Sequence, residues 1–433
     1  MCPLIQDPGR VRDLAAAMAA GTLTAEALVR RCLDRIAAVD GEVRAWIHVQ
    51  AEEALAAARA LDSERRAGAV RGPLHGIPVG VKDVIDVASL PTRANSPSRA
   101  EAPPATADAT VVAHLRAAGA IILGKLHTTE YAYFQSLPPT RNPWDPARTP
   151  GGSSAGSGAA IASGTVPLAL GTQTAGSVNR PAAYTGTCAF KPSTLAVGGT
   201  GVVPLAPSFD TVGAFGASAQ DAALLAQGYC ADHTGMAAPP AIAPHIVVLE
   251  DALIAGKVVA STAAAVRALA DRLADAGLAV RRAAAPAPLE EMLGAHRPVM
   301  VAELGRTHVR LPRDRIAPRI AEDIAAGLAT PDADYHAGLR HLAALRRAFW
   351  AGFGADTFIL IPAAPDVAPE AGTTGDPSFV IPTTVLGGPV ATLRAGRCPA
   401  TGMPIGALLF GSPGADAPLA GFLLSETATA MDL

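Results

Sequence analysis

Cysteine is scarce in this chain and shows no paired spacing. The five cysteines, Cys2, Cys32, Cys188, Cys230 and Cys398, are odd in number, scattered, and never spaced C-x-x-C. That argues against a disulfide framework and a thiolate zinc site, and for reduced thiols in a cytoplasmic protein. No H-E-x-x-H occurs and the ten histidines are scattered, so no metal site is expected. Charge of one sign is also missing. The formal net charge is −3, with no Lys/Arg-rich block, which argues against nucleic acid as a partner. No apolar run reaches the roughly eighteen residues of a membrane span. Asp7, Arg10, Arg12 and Asp13 interrupt the first segment, so no secretory leader is expected there.

Aromatic residues make up only 4% of the chain, while the hydrophobic fraction is 50% and alanine is abundant. Such a composition supplies a large core whose helices pack closely through small side chains. Two amphipathic helices are expected in residues 8–40, with Thr24 as a cap, and a third in 51–68. Residues 77–84, "IPVGVKDV", read as a buried strand. Further strands are expected at "IILGK", "VPLALGTQTAGS", "CAFKPS", "IVVLE", "DTFILIPAAP", "GPVATLRAG" and "IGALLFG", with helices at 218–228 and 260–277. This alternation implies an α/β fold. No linker divides the 433 residues, so a single domain is expected. Its parts are N-terminal helices (1–70), a catalytic core (71–240), a helical insert or lid (280–350), and C-terminal strands of the same sheet (355–433).

The segment "TPGGSSAGSGAAIASG", residues 149–164, admits several readings. As a phosphate loop, its Gly151 and Gly156 are correctly spaced, but Ser157-Gly158 stands where Lys and Ser/Thr should follow. As a nucleophile elbow, Gly152 to Gly156 matches G-x-S-x-G around Ser154. The elbow needs an apolar strand before the serine, and "RNPWDPARTP" cannot form one. A plain Gly/Ser loop is the remaining reading.

Lys82 lies within the apolar 77–84 segment. It is either a snorkelling lysine paired with Asp83 or Asp86, or a neutral general base whose pKa burial lowers. In "GTQTAGSVNRPAAYTG", the small residues before Ser177 allow close backbone approach and N–H groups aimed at an oxyanion. The same segment also reads as a simple turn closed by Pro181.

Taken together, "GIPVGVKD", the stretch from "TPGGSSAGS" through "GTQTAGSVNRPAAYTGTCAFKPS", and "SFDTVG" strongly resemble the amidase signature family. The resemblance covers most of the chain and is weakest from about 240 to 350. Its signature has two serines 24 positions apart and a lysine upstream. It implies an α/β fold with a central mixed sheet covered by helices on both sides. It implies a Ser–cis-Ser–Lys triad, with Ser177 as nucleophile, Ser153 as the bridging serine on a cis peptide bond, and Lys82 as base. The oxyanion hole maps to the backbone N–H groups of Thr174, Ala175, Gly176 and Ser177. Ser154 becomes a supporting hydrogen-bond residue, and no cofactor is needed.

This chain departs from the family pattern at Gln173 and Asn179, where many relatives carry Asp and Arg. The support of the serine turn is therefore expected to differ, with Gln173 as a supporting residue. Tyr131, Tyr133, Phe134 and Gln135 are expected to supply pocket contacts, and Met292, Met300 and Phe349 to belong to a lid. No arginine is obviously placed to clamp a substrate carboxylate, with Arg141 and Arg180 the two left open. The expected substrate is a neutral, fairly apolar amide or anilide, or a carbamate, with ester cleavage as a side activity, and a homodimer is left open. The competing readings are a hydrolase of urea-type amides, an inactive binding protein on this fold, an esterase using Ser154, and an amidotransferase subunit.

Overall fold

Short apolar runs separated by helices pair here into one continuous sheet. The computed structural model describes residues 3–236, 243–431 and 433. Cys2 and the expected core boundary at 240 lie outside the described residues. The strands are β1 (Trp46–Val49), β2 (Pro78–Lys82), β3 (Ile121–Leu126), β4 (Leu168–Gln173), β5 (Cys188–Lys191), β6 (Thr211–Gly216), β7 (His245–Glu250), β8 (Ala279–Ala284), β9 (Thr357–Pro362), β10 (Val390–Arg397) and β11 (Pro404–Phe410). They form an 11-stranded sheet in the order β1-β3-β2-β4-β6-β5-β10-β11-β9-β7-β8. β2 runs parallel to β3 and β4, whereas β4 and β6 are antiparallel, so the sheet is mixed.

Strands β2, β3, β4, β6, β9 and β11 are buried along their whole length, as a sheet flanked by helices requires. Edge strand β8 is exposed and carries Arg281 and Arg282, which discourages further strand pairing. Residues 280–284, expected to begin a helical insert, belong to this strand because they pair in register with β7. The helices Leu289–Thr307, Pro318–Ala329 and Asp332–Trp350 follow. Among the described residues, no helix is long and apolar enough to cross a membrane.

The small residues of "AGSGAAIA" have a specific use. Helix Ala155–Ala162 is buried at every position. It lies so close to its neighbours that a Cβ on Gly156 would sit 2.5 Å from the His127 nitrogen. Only glycine fits there, and that contact brings the Ser153–Ser154 segment to the carboxyl ends of β2 and β4. In open α/β sheets this is where ligand sites form.

The 77–84 segment is strand only as far as Lys82. The Val84 and Ile85 N–H groups both turn back to the Lys82 carbonyl. Asp83 consequently leaves the strand and pairs with Lys125 at 2.9 Å, both side chains being buried. Lys125 Nζ also donates to the Ile85 carbonyl (2.8 Å) and Thr92 Oγ1 (2.9 Å). Removing one partner of such a pair leaves an uncompensated buried charge. Lys125→Met is expected to lower unfolding free energy by about 3–5 kcal/mol in urea titration.

Candidate active site

Lys82 ends β2 with its side chain fully buried. Its Nζ lies 2.7 Å from Ser153 Oγ, 2.7 Å from Thr172 Oγ1, 3.0 Å from Ser154 Oγ and 3.4 Å from the Thr172 carbonyl. All four partners are uncharged. Burial therefore holds the lysine pKa well below its ordinary value, opposed only by the more distant charge of Asp210. A neutral amine keeps two N–H donors and one lone pair. Thr172 Oγ1 and Ser154 Oγ can take the donors, leaving the lone pair for the Ser153 hydroxyl. The pairing with Asp83 or Asp86 weighed from the sequence does not form, because Asp83 faces Lys125.

The peptide bond Gly152–Ser153 is cis. Ser153 and Ser177 both line a cavity of about 430 Å³, a volume suited to a small organic molecule. Ser154 does not line it. That side chain is wholly buried, donates to the Thr172 carbonyl (3.3 Å) and accepts from the Thr172 N–H (3.3 Å). The G-x-S-x-G match around Ser154 is therefore a helix entry without solvent access.

The turn at 174–177 is clamped from several sides. Gln173 Oε1 accepts from the Val178 (2.9 Å) and Asn179 (3.1 Å) N–H groups, and its Nε2 donates to Thr384 Oγ1 (3.0 Å). Thr384 Oγ1 donates in turn to the Ala175 carbonyl (2.6 Å). Asn179 Nδ2 donates to Thr392 Oγ1 at 3.0 Å. Neutral amides thus support a turn for which a charged pair was expected in relatives. Thr174 Oγ1 donates to Asp210, which also accepts from the Leu205 and Ala206 N–H groups. Among the described residues, the backbone N–H groups of Ala175, Gly176 and Ser177 have no protein acceptor. Thr174, Ala175 and Ser177 line the cavity. The arrangement offers unspent donors beside a hydroxyl, which is what a developing oxyanion needs. No hydrogen bond joins Ser177 Oγ to Ser153 Oγ among the described residues; such contacts commonly tighten only when substrate binds.

The expected pocket residues divide. Tyr133, Phe134 and Gln135 line the cavity, and Tyr131 does not. At Tyr131 the backbone has a positive φ of 49°, and its hydroxyl is hydrogen-bonded to Ser98 Oγ at 2.7 Å. Of the expected lid residues, Met300 reaches the cavity, while Met292 and Phe349 are buried in the core. Arg180 reaches it too, but its two terminal nitrogens donate to the Gly375 (2.9 Å) and Gly152 (3.0 Å) carbonyls. Arg141 is not among the lining residues. Cys188 is buried in β5 and burial raises its thiol pKa, which fits an inert side chain. Sequence reasoning missed Thr172, Asp210, Thr384 and His296. Thr172 and Asp210 fall within the quoted segments "GTQTAGSVNRPAAYTG" and "SFDTVG", but neither is singled out there. Among the described residues there is no cluster of His, Cys, Asp or Glu fit to hold a metal.

Gly176 is fixed by close approach. A Cβ there would sit 2.1 Å from Val380 Cγ2. Gly176→Ala is expected to displace the turn and lower kcat by about a hundredfold, as an ångström-scale misplacement does. Adding Val380→Ala should recover part of that loss. Steady-state kinetics of the single and double variants check this.

Residues 27–419 match the family profile Amidase. The chain is 45% identical over 214 residues to a glutamyl-tRNA(Gln) amidotransferase subunit of Chloroflexus aggregans, covering 48% of this chain and 44% of that one. It thus spans less than half the length of this curated relative. Native peptide amidase from Stenotrophomonas maltophilia superposes with a TM-score of 0.80 and 27% identity, covering 98% of this chain and 96% of that chain. A structure described as a vestigial protein complex revealing the origins of an s-triazine catabolic enzyme gives a TM-score of 0.87 and 28% identity, covering 98% and 99%. This chain belongs to the amidase family.

Proposed function

We propose that this protein hydrolyses the C–N bond of small, neutral, largely apolar amides and anilides, with aryl carbamates as a related class, through an acyl-enzyme on Ser177. The observation that carries the reading is Lys82. It is a fully buried amine without a carboxylate partner, in contact with Ser153 behind a cavity that Ser177 also lines.

The steps follow from these positions. As Ser177 Oγ attacks the substrate carbonyl carbon, its proton passes to Ser153 Oγ, and the Ser153 proton passes to Lys82 Nζ. The carbonyl oxygen becomes an oxyanion facing the N–H groups of 175–177. Collapse breaks the C–N bond. The leaving nitrogen takes a proton from Ser153, which regains one from Lys82. Water then repeats the sequence against the acyl ester, releasing the acid and restoring Ser177.

The cavity supports a neutral substrate. Among its described lining residues there is no Asp or Glu. Its two arginines are engaged, Arg180 by backbone carbonyls and Arg297 by Asp323 at 2.8 Å. The local likeness to an amidotransferase subunit favours a second reading, ammonia release from glutamine. Glutamine carries an ammonium and a carboxylate. The described lining holds no Asp or Glu for the ammonium, while Arg180, bonded only to backbone carbonyls and with its Nε unpartnered, is the lining group that would meet the carboxylate. Cys32, Cys188, Cys230 and Cys398 are in no disulfide among the described residues, which supports the proposed cytoplasmic location.

A panel of acyl p-nitroanilides, primary amides, aryl carbamates and glutamine tests the reading. Highest kcat/KM on an apolar anilide, amide or carbamate is expected. Glutamine as the best substrate would replace the proposal with the second reading.

The pH dependence is a further check. Protonated Lys82 cannot accept a proton, so kcat/KM should rise with pH through the lysine pKa and then level. Burial lowers that pKa, so the plateau should begin well below the ordinary lysine value of 10.5. A rate still climbing at that pH would contradict a buried neutral base.

A further inference from the structure

The helix Leu289–Thr307 lies in the region where the family resemblance is weakest, yet it sends one side chain to the serine turn. His296 is almost wholly buried, lines the cavity, and packs on Phe209 with ring centroids 4.4 Å apart. Its Nε2 lies 2.9 Å from the Thr174 carbonyl. A carbonyl only accepts, so Nε2 must carry the hydrogen. Burial lowers the imidazole pKa to about 4, so the ring is neutral at assay pH. A neutral imidazole has one donor and one acceptor. With the donor committed to Thr174, Nδ1 is the acceptor and the ring's only uncommitted polar atom.

The other lining side chains able to receive an N–H are the Gln135 amide and hydroxyl groups, all of which also donate, whereas Nδ1 of the neutral His296 can only accept. The cavity holds no Asp or Glu among the described lining residues, and its arginines only donate. An ester and an amide differ in that the amide of a primary amine carries an N–H. A site with a fixed acceptor discriminates strongly between analogues that have the matching donor and those that lack it.

Resting on the amidase reading, we infer that His296 is a specificity-determining residue. Nδ1, fixed as an acceptor by the Nε2–Thr174 hydrogen bond, receives an N–H of the bound substrate and favours amides over the matching esters. The same residue anchors the oxyanion turn through Thr174, so the helix Leu289–Thr307 both lines the cavity and reads the substrate.

The test compares kcat/KM on an acyl p-nitroanilide and on the p-nitrophenyl ester of the same acid. kcat/KM reports the acylation step, where the two leaving groups differ. Dividing amide by ester within each protein cancels any loss common to both, including a displaced turn. In His296→Phe the ratio should fall about tenfold, the value of one hydrogen bond. His296→Leu reads the same loss should the Phe variant fail to fold. His296→Gln, which offers both a donor and an acceptor, should retain most of the ratio. Equal losses on both substrates in the apolar variants would overturn the acceptor role and leave His296 as a positioning residue for Thr174. A wild type inactive on both substrates would instead overturn the amidase reading and this inference with it.

Discussion

The site depends on one buried amine. Lys82 sits at the end of β2 with hydroxyl and carbonyl oxygens around it and no carboxylate in contact. Desolvation acts against its charge, and nothing close restores it. The rest of the local structure can be read as the means of keeping it so. β4 lies beside β2 and brings Thr172 to the amine. The helix Ala155–Ala162, stripped to small residues, lets Ser153 and Ser154 reach it from the other side. The adjacent carboxylate, Asp83, is turned away and neutralised by Lys125.

A second constraint concerns the turn that carries Ser177. Its carbonyls and side chains are tied by Thr384, Asp210 and His296, while Gln173 holds the start of the helix Asn179–Thr185. Among the described residues, these ties leave the N–H groups of 175–177 without a protein acceptor. Preorganised donors are effective because they need no rearrangement as charge develops. Amides do here what a carboxylate–guanidinium pair was expected to do in relatives. An amide oxygen accepts from the helix N–H groups as a carboxylate would, and its nitrogen donates to Thr384 without adding charge beside the lysine.

Much of this was legible in the sequence. The long Gly/Ser segment, its second serine and the upstream lysine carry the resemblance to the amidase signature family, and that resemblance named residues 82, 153 and 177 before any geometry. The apolar runs gave most strands, because a buried sheet demands continuous hydrophobic stretches. The rest was hidden for physical reasons. A threonine such as Thr172 inside a strand looks like any β-former. Tyr131 and Tyr133 are two residues apart, yet only one reaches the cavity, because the backbone at 131 and 132 has positive φ and breaks any simple alternation. The sequence offers Asp83 or Asp86 as partner for a snorkelling Lys82, but adjacent residues at a strand end point apart, and the chain turns there. His296 lies 122 positions from Thr174 on a helix whose pattern shows only burial.

The central claim is that Ser177, and not Ser154, is the nucleophile served by Lys82 through Ser153. Intact-protein mass after treatment with a serine-directed fluorophosphonate, on wild type, Ser177→Ala and Ser154→Ala, tests it most directly. The account predicts one adduct on wild type, an adduct still formed on Ser154→Ala, and none on Ser177→Ala. An adduct that persists in Ser177→Ala and vanishes in Ser154→Ala would contradict it.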